Sequence, residues 1–185
     1  MNLKALLLMA ACLASLSATA QHSDDTLDDL LQHAPMATVF VLKACGEHSQ
    51  SSWIETTALA VASYAVGTAI TYSGKQIIGE QRPDGSDHRS FPSGHATYAF
   101  AGATMLHHEY GHLSPWVTVG GYGLATLVAL DRVRQDRHYL HDVGAGAAIG
   151  IASTELAYYL KRRFFNDKPL DLSFTGNEVT VRLYL

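Results

Sequence analysis

The sequence is poor in cysteine, poor in charge and free of the usual metal-binding spacings. Two cysteines, Cys12 and Cys45, occur in 185 residues. Charged residues make up 16% of the chain against 48% hydrophobic ones, too apolar a balance for general disorder. The formal net charge of −4 gives no excess of positive charge, so duplex nucleic acid is not an expected partner. No HExxH, CxxC or clustered-Asp pattern calls for a required cation, and no cofactor is expected. There is no internal repeat and no low-complexity tract. The mean hydropathy of +0.04 argues against a chain made mostly of lipid-spanning helix. The length suits one domain rather than two. What the chain has in quantity is histidine, at 10 residues. Histidine is the side chain whose ordinary pKa lies near physiological pH.

The N-terminus has the pattern of a removable leader. Lys4 is followed by an almost wholly apolar stretch from Ala5 to Leu16, then by Ala18-Thr19-Ala20 as a small-residue cleavage site. We expect residues 1–20 to be a signal peptide and the protein to be exported to the periplasm. A lipoprotein signal acylated at Cys12 and an uncleaved anchor are the competing readings. Cleavage takes away Lys4 and no acidic residue, so 13 basic residues less one leaves 12 against 17 acidic ones. Of the two cysteines only Cys45 then remains, which excludes an internal disulfide.

Helical periodicity dominates residues 21–165. A short acidic amphipathic helix is expected over 24–34, interrupted by Pro35, and an apolar segment over 36–45 that reads as helix. A long Ala-rich helix follows over 53–79, with Ser51 and Ser52 as cap candidates and Pro83 as its stop. Asp84-Gly85 marks a turn in a polar loop. Further helices are expected from Ser93 to Tyr110, over 116–131 and over 139–164. Their apolar runs are long enough to raise the question of a membrane span. Each also carries Gly, Thr, Ser or Tyr, so both a soluble or peripheral bundle and an integral one stay open. Residues 166–185 change period: alternation at Leu170, Leu172 and Phe174, a Gly176-Asn177 turn, then alternation from Val179 to Leu185. The expected fold is all-α, a helical bundle with a short C-terminal β-hairpin.

Three clusters carry chemistry. Lys75 and Arg82, seven residues apart, would share a helix face and need an anion to face. Two solvated cations at a helix C-terminus are the plainer alternative. Pro92-Ser93-Gly94-His95 places a cap residue, a glycine and an imidazole at a helix start, where first-turn amides attract phosphate-like oxygens. Arg132, His138 and Asp142 combine a planar guanidinium with an imidazole four residues from a carboxylate, a spacing that would pair the two on a helix. A carboxylate on one ring nitrogen leaves the other available for attack. The group His107, His108, Glu109 and His112 has the composition of a metal site, with an exposed helix end as the plainer reading.

Taken together, Lys75-x6-Arg82-Pro83, Pro92-Ser93-Gly94-His95 and Arg132-x5-His138-x3-Asp142 resemble the three-part signature of the type 2 phosphatidic-acid phosphatase family. That superfamily also holds bacterial class A acid phosphatases and vanadium haloperoxidases, and the resemblance covers about residues 53–160. It departs at Asp131, where the family often has Ser before the arginine. The resemblance implies the helical bundle of the acid phosphatase and haloperoxidase type. It implies His138 as nucleophile, Asp142 as its orienting carboxylate, and His95 as the acid that protonates the leaving oxygen and then activates water. It implies Lys75, Arg82, Ser93, Gly94 and Arg132 as phosphate ligands. The expected activity is metal-independent hydrolysis of phosphomonoesters through a phosphohistidine. The expected partners are a lipid phosphate (lipid A, polyprenyl pyrophosphate or phosphatidic acid) or a small phosphomonoester, together with a membrane surface. A vanadate-dependent haloperoxidase and a non-catalytic binder of anionic lipids are the alternatives.

Overall fold

The computed structural model describes residues 29–164 and, for the backbone only, two further segments at 170–175 and 178–183. The leader expected at 1–20 and the first part of the helix expected at 24–34 lie outside the described residues. Five helices follow a helical turn at 29–31. They are α1 (Ala34–Ala44), α2 (Trp53–Ile78), α3 (Gly94–Tyr110), α4 (Pro115–Arg134) and α5 (Leu140–Phe164). Strands β1 (Leu170–Thr175) and β2 (Glu178–Leu183) pair antiparallel, with Leu170 opposite Leu183 and Thr175 opposite Glu178. Among the described residues no helix is long and apolar enough to cross a membrane.

Local chemistry explains most of the boundaries. The helical turn at 29–31 ends ahead of Pro35, which lies in the first turn of α1, where its missing N–H costs nothing. Ser52 and Glu55 form a reciprocal capping box that starts α2. That helix stops at Ile78, before Pro83 is reached. Gly79 takes a left-handed conformation, φ +59°, and its amide caps the Lys75 carbonyl. Ser93 and Ser114 cap α3 and α4 through their side chains. Asp136, at φ +55°, turns the chain out of α4 and toward α5.

Helix α3 is the central element and packs against each of the other four. Ala96, Ala99, Ala101, Ala103, Met105 and Tyr110 are all buried within it. Small residues let its neighbours approach closely. A Cβ on Gly102 would lie 2.5 Å from the Met36 backbone nitrogen of α1. A Cβ on Gly146 of α5 would collide with the Ser93 carbonyl, and one on Gly150 with the Thr97 carbonyl. Away from the chemistry-bearing loops the core is larger, built from Val39, Leu42, Leu59, Met105, Leu106, Tyr110, Val117 and Tyr158. Near those loops it narrows to Ala96, Ala129 and Val143.

That wider end also encloses a carboxylate. Glu109 is fully buried, and its oxygens accept from Ser51 Oγ at 2.6 Å, Ser51 N at 3.0 Å, Ser49 Oγ at 2.7 Å and Tyr158 Oη at 2.5 Å. Burial works to raise its pKa, but these donors hold it below the ordinary glutamate value. The loop between α1 and α2 is thereby tied to α3 and α5.

The closeness of α3 and α5 sets a test. Gly150→Ala places a methyl group against backbone that cannot rotate away, and should cost about 1–3 kcal/mol of stability. Urea denaturation should show an earlier midpoint; an unchanged midpoint would mean the two helices separate freely.

Candidate active site

Lys75 sits in the last turn of α2, while Arg82 lies beyond the helix in the connecting loop. Their convergence therefore does not come from a shared helix face, as the spacing suggested. It comes from the loop folding back. The Lys75 ammonium donates to the carbonyls of Arg89 at 2.6 Å and Ser90 at 3.4 Å. Arg82 donates through Nε to Asp87 Oδ1 at 2.8 Å, and its amide to the Asp87 carbonyl at 3.0 Å. The Ser90 amide donates to the Glu80 carbonyl at 2.9 Å, closing the loop. The Phe91–Pro92 peptide is cis, and the buried Pro92 ring packs on Gly74 of α2. The Asp84 amide donates to the Asp136 carbonyl at 3.1 Å, which brings this loop against the α4–α5 connection.

His138 is placed differently from the sequence reading as well. It stands in the loop ahead of α5, with Asp142 in that helix's first turn, so the pair is not an intrahelical one. The carbonyl of Arg132, at the end of α4, accepts from the amides of Arg137 at 3.1 Å and His138 at 3.3 Å. This closure holds the imidazole beside the buried Arg132 side chain. His138 is 3% exposed and Asp142 not at all. Nδ1 of His138 lies 3.5 Å from Oδ2 of Asp142, an ion-pair distance rather than a hydrogen bond. Oδ2 itself is fixed by Ser90 Oγ at 2.5 Å and by the Tyr139 amide at 2.8 Å. Ser90 is a site residue that sequence reasoning missed, since no spacing or motif marks it.

Ser93 joins the two halves. Its amide donates to the Asp142 carbonyl at 3.0 Å, its side chain caps α3, and it is fully buried. Gly94 is the first residue of α3, so its amide belongs to the first helical turn, which has no intrahelical acceptor. His95 is the second residue. Its Nε2 meets Asp29 Oδ1 at 2.9 Å. Asp29 comes from the segment ahead of α1, 66 positions away, and the sequence held no signal for this partner. Asp131 turns toward Arg134 Nη2 at 2.9 Å and Gln135 Nε2 at 2.5 Å, on its own helix end.

The other histidines separate. His107 faces Thr118, His108 pairs with Glu155 and stacks on Tyr158, and His112 meets His48 edge-on. With Glu109 enclosed elsewhere, these four do not assemble a cation site among the described residues. Three groups that do approach one another are Glu80, His141 and Asp142, with ligand-type atoms within 4.8 Å. Both carboxylates there already face a single imidazole nitrogen, Nε2 of His141.

The electrostatics follow from this crowding. Burial, and then the neighbouring Arg82, lower the Lys75 ammonium to about 8, against the pull of Asp142. Burial, Lys75, Arg82 and Arg132 push His138 down to about 4, and Asp142 only partly opposes them. The imidazole is therefore neutral at physiological pH and available as a nucleophile. Between about pH 4 and 6.5 the folded chain holds fewer protons on His138 than the unfolded chain. Stability should fall as pH drops through that window, by at most about 1.4 kcal/mol per pH unit from this group. His138→Gln should remove that slope in a pH series of denaturation; a full slope in the variant would place its origin elsewhere.

Residues 80–166 match the family model described as PAP2 superfamily. The match takes in Arg82, the Ser93 to His95 run and the Arg132 to Asp142 run, and begins after Lys75. The chain is 36% identical over 142 residues to Lipid A 1-phosphatase of Porphyromonas gingivalis, covering 76% of this chain and 32% of that protein. It is 37% identical over 89 residues to Lipid phosphate phosphatase 1 of Arabidopsis thaliana, covering 42% of this chain and 26% of the other. The chain thus spans about a third or less of the length of these relatives. Among solved structures, that of Aquifex aeolicus LpxE superposes with a TM-score of 0.56 at 21% identity, over 76% of this chain and 89% of that one. At that identity the likeness shows the fold, an all-helical bundle of the same kind.

Proposed function

From the match of residues 80–166 to the PAP2 superfamily model and the likeness to Lipid A 1-phosphatase, we propose that the chain is a phosphatase of lipid phosphates that works through a phosphohistidine. The observation that carries this reading is the gathering of Lys75, Arg82 and Arg132 around the buried His138 and Asp142. Three cations around one neutral imidazole leave a surplus of positive charge that a phosphate dianion answers. The first-turn amides of α3 add to the same field. Phosphoryl transfer is mostly positioning and charge stabilisation, so this set suffices for the chemistry without a metal.

In the proposed reaction Nε2 of His138 attacks phosphorus, since Nδ1 faces Asp142. The ester P–O bond breaks, and the leaving oxygen takes a proton from His95. Water then attacks the phosphohistidine and gives its proton to His95. The P–N bond breaks, inorganic phosphate leaves and His138 is restored. Asp142 stabilises the positive charge that His138 carries while phosphorylated. Lys75, Arg82 and Arg132 neutralise the phosphate oxygens, with Ser93 and Gly94 at the helix start beside them.

A substrate with an apolar tail fits the outer surface. Trp53, Ile54, Val61, Ile70, Ile77 and Ile78 stand exposed along α2, the helix whose last turn carries Lys75. A run of exposed apolar side chains of this extent marks a contact surface, and a lipid surface is the occupant that also presents phosphate. The relatives' names point the same way: one is a Lipid A 1-phosphatase and another a lipid phosphate phosphatase. The division proposed for the chain is a leader over 1–20, the phosphatase domain over 21–165 and a tail over 166–185, with the domain outside the inner membrane.

Phosphate release from a soluble phosphomonoester, phosphatidic acid, a polyprenyl pyrophosphate and lipid A tests the reading. Release should be strongest from one lipid. His138→Ala should lower it at least about a thousandfold while cooperative unfolding persists, and an active His138→Ala would overturn the mechanism. The profile of kcat/KM against pH should rise through about 4, as His138 loses its proton, and fall above about 8, as Lys75 loses its charge. Lys75→Arg should move the alkaline limb upward, because a guanidinium keeps its charge there. A limb unmoved by that change would assign it to another group.

A further inference from the structure

Asp142 is the fully buried carboxylate of the site, and its two oxygens have unequal surroundings. Oδ2 is held by Ser90 Oγ and the Tyr139 amide. Oδ1 accepts no hydrogen bond. Nε2 of His141 lies 3.1 Å from it. That same nitrogen lies 3.0 and 3.1 Å from the two oxygens of Glu80. One imidazole nitrogen thus stands between two carboxylates. The ring stacks on Tyr139 at an interplanar angle of 8° and on Phe91 at 28°. A ring held between two carboxylates has a role that its surface position alone does not suggest.

We infer that His141 is a positioning residue that acts through Asp142 by separating the Glu80 and Asp142 carboxylates. Without the imidazole the carboxylates of Glu80 and Asp142 face each other directly, with oxygens within 4.8 Å. Like charges at that range repel, and the buried partner answers by swinging away or by losing its alignment. Either response weakens the hold of Oδ2 on His138. Once a phosphate dianion is bound, Lys75, Arg82 and Arg132 are engaged by it. Asp142 then relies on Ser90, the Tyr139 amide and His141 to stay in place.

The kinetic arm of this inference rests on the phosphatase reading; its spectroscopic arm does not. On a soluble phosphomonoester, His141→Ala should lose about tenfold in kcat with KM within about twofold. Glu80→Gln should stay near the parent. The double variant Glu80→Gln/His141→Ala should recover most of the loss, since removing the second charge removes the repulsion. A residue that merely packs would give no such recovery. In the absence of substrate, the His138 ring nitrogen resonances should move in His141→Ala and return in the double variant. His141→Gln replaces His141→Ala if the alanine variant does not fold. A His141→Ala enzyme within twofold of the parent, or a loss that the double variant leaves unchanged, overturns the inference. A parent with no phosphatase activity overturns the phosphatase reading, and the resonances still decide this one.

Discussion

The arrangement turns on one electrostatic constraint: cations and an imidazole crowded beside a carboxylate that water does not reach. Asp142 is enclosed, and its charge is tolerated because a hydroxyl and an amide point at one oxygen. His138 beside it is kept neutral by burial and by three nearby cations. Lys75 has its own charge weakened by the same crowding. The free site therefore carries strain of one sign, and an anion of suitable geometry relieves it. That constraint favours an anion over a neutral ligand.

The scaffold exists to hold loop residues at fixed spacing. Lys75, Arg82, Ser90 and His138 come from a helix end and two loops, and only Asp142, Gly94 and His95 belong to regular first turns. Backbone hydrogen bonds bring these pieces together: Ser93 to Asp142, Asp84 to Asp136, and the closure of Arg137 and His138 onto Arg132. Beneath them, glycines 146 and 150 let α5 lie directly against the start of α3. At the opposite end, Glu109 and its donors pin the α1–α2 loop to the same two helices. The molecule is rigid where small residues and buried polar bonds meet, and the site is suspended from that frame.

His95 and His141 show how an imidazole's role depends on its partner. His95 is joined to Asp29 from the chain ahead of α1, so the segment before the bundle reaches the site. His141 is exposed, yet it bridges a surface glutamate to the buried Asp142. The remaining histidines of α3's end pair with Thr118 and Glu155, or meet another imidazole, and serve packing.

The sequence by itself determined the helices and the chemical inventory. Ser52 and Ser93 mark helix starts by local rules that need no tertiary contact, and the lysine, arginine and histidine motifs name the groups. It misjudged geometry where a spacing was read as a shared helix face, although the expected helices over 53–79 and 139–164 already left Arg82 and His138 outside. Gly79 ends α2 before Pro83, so Arg82 leaves the helix, and His138 falls outside α5, so its pairing with Asp142 is not the helical one. Partners distant in sequence were out of reach altogether: Ser90 for Asp142, Asp29 for His95, Glu80 for His141. The physical reason is range. Capping and periodicity act over a few residues and are written locally, whereas burial, desolvation and charge crowding exist only after the helices have packed and the loops have closed.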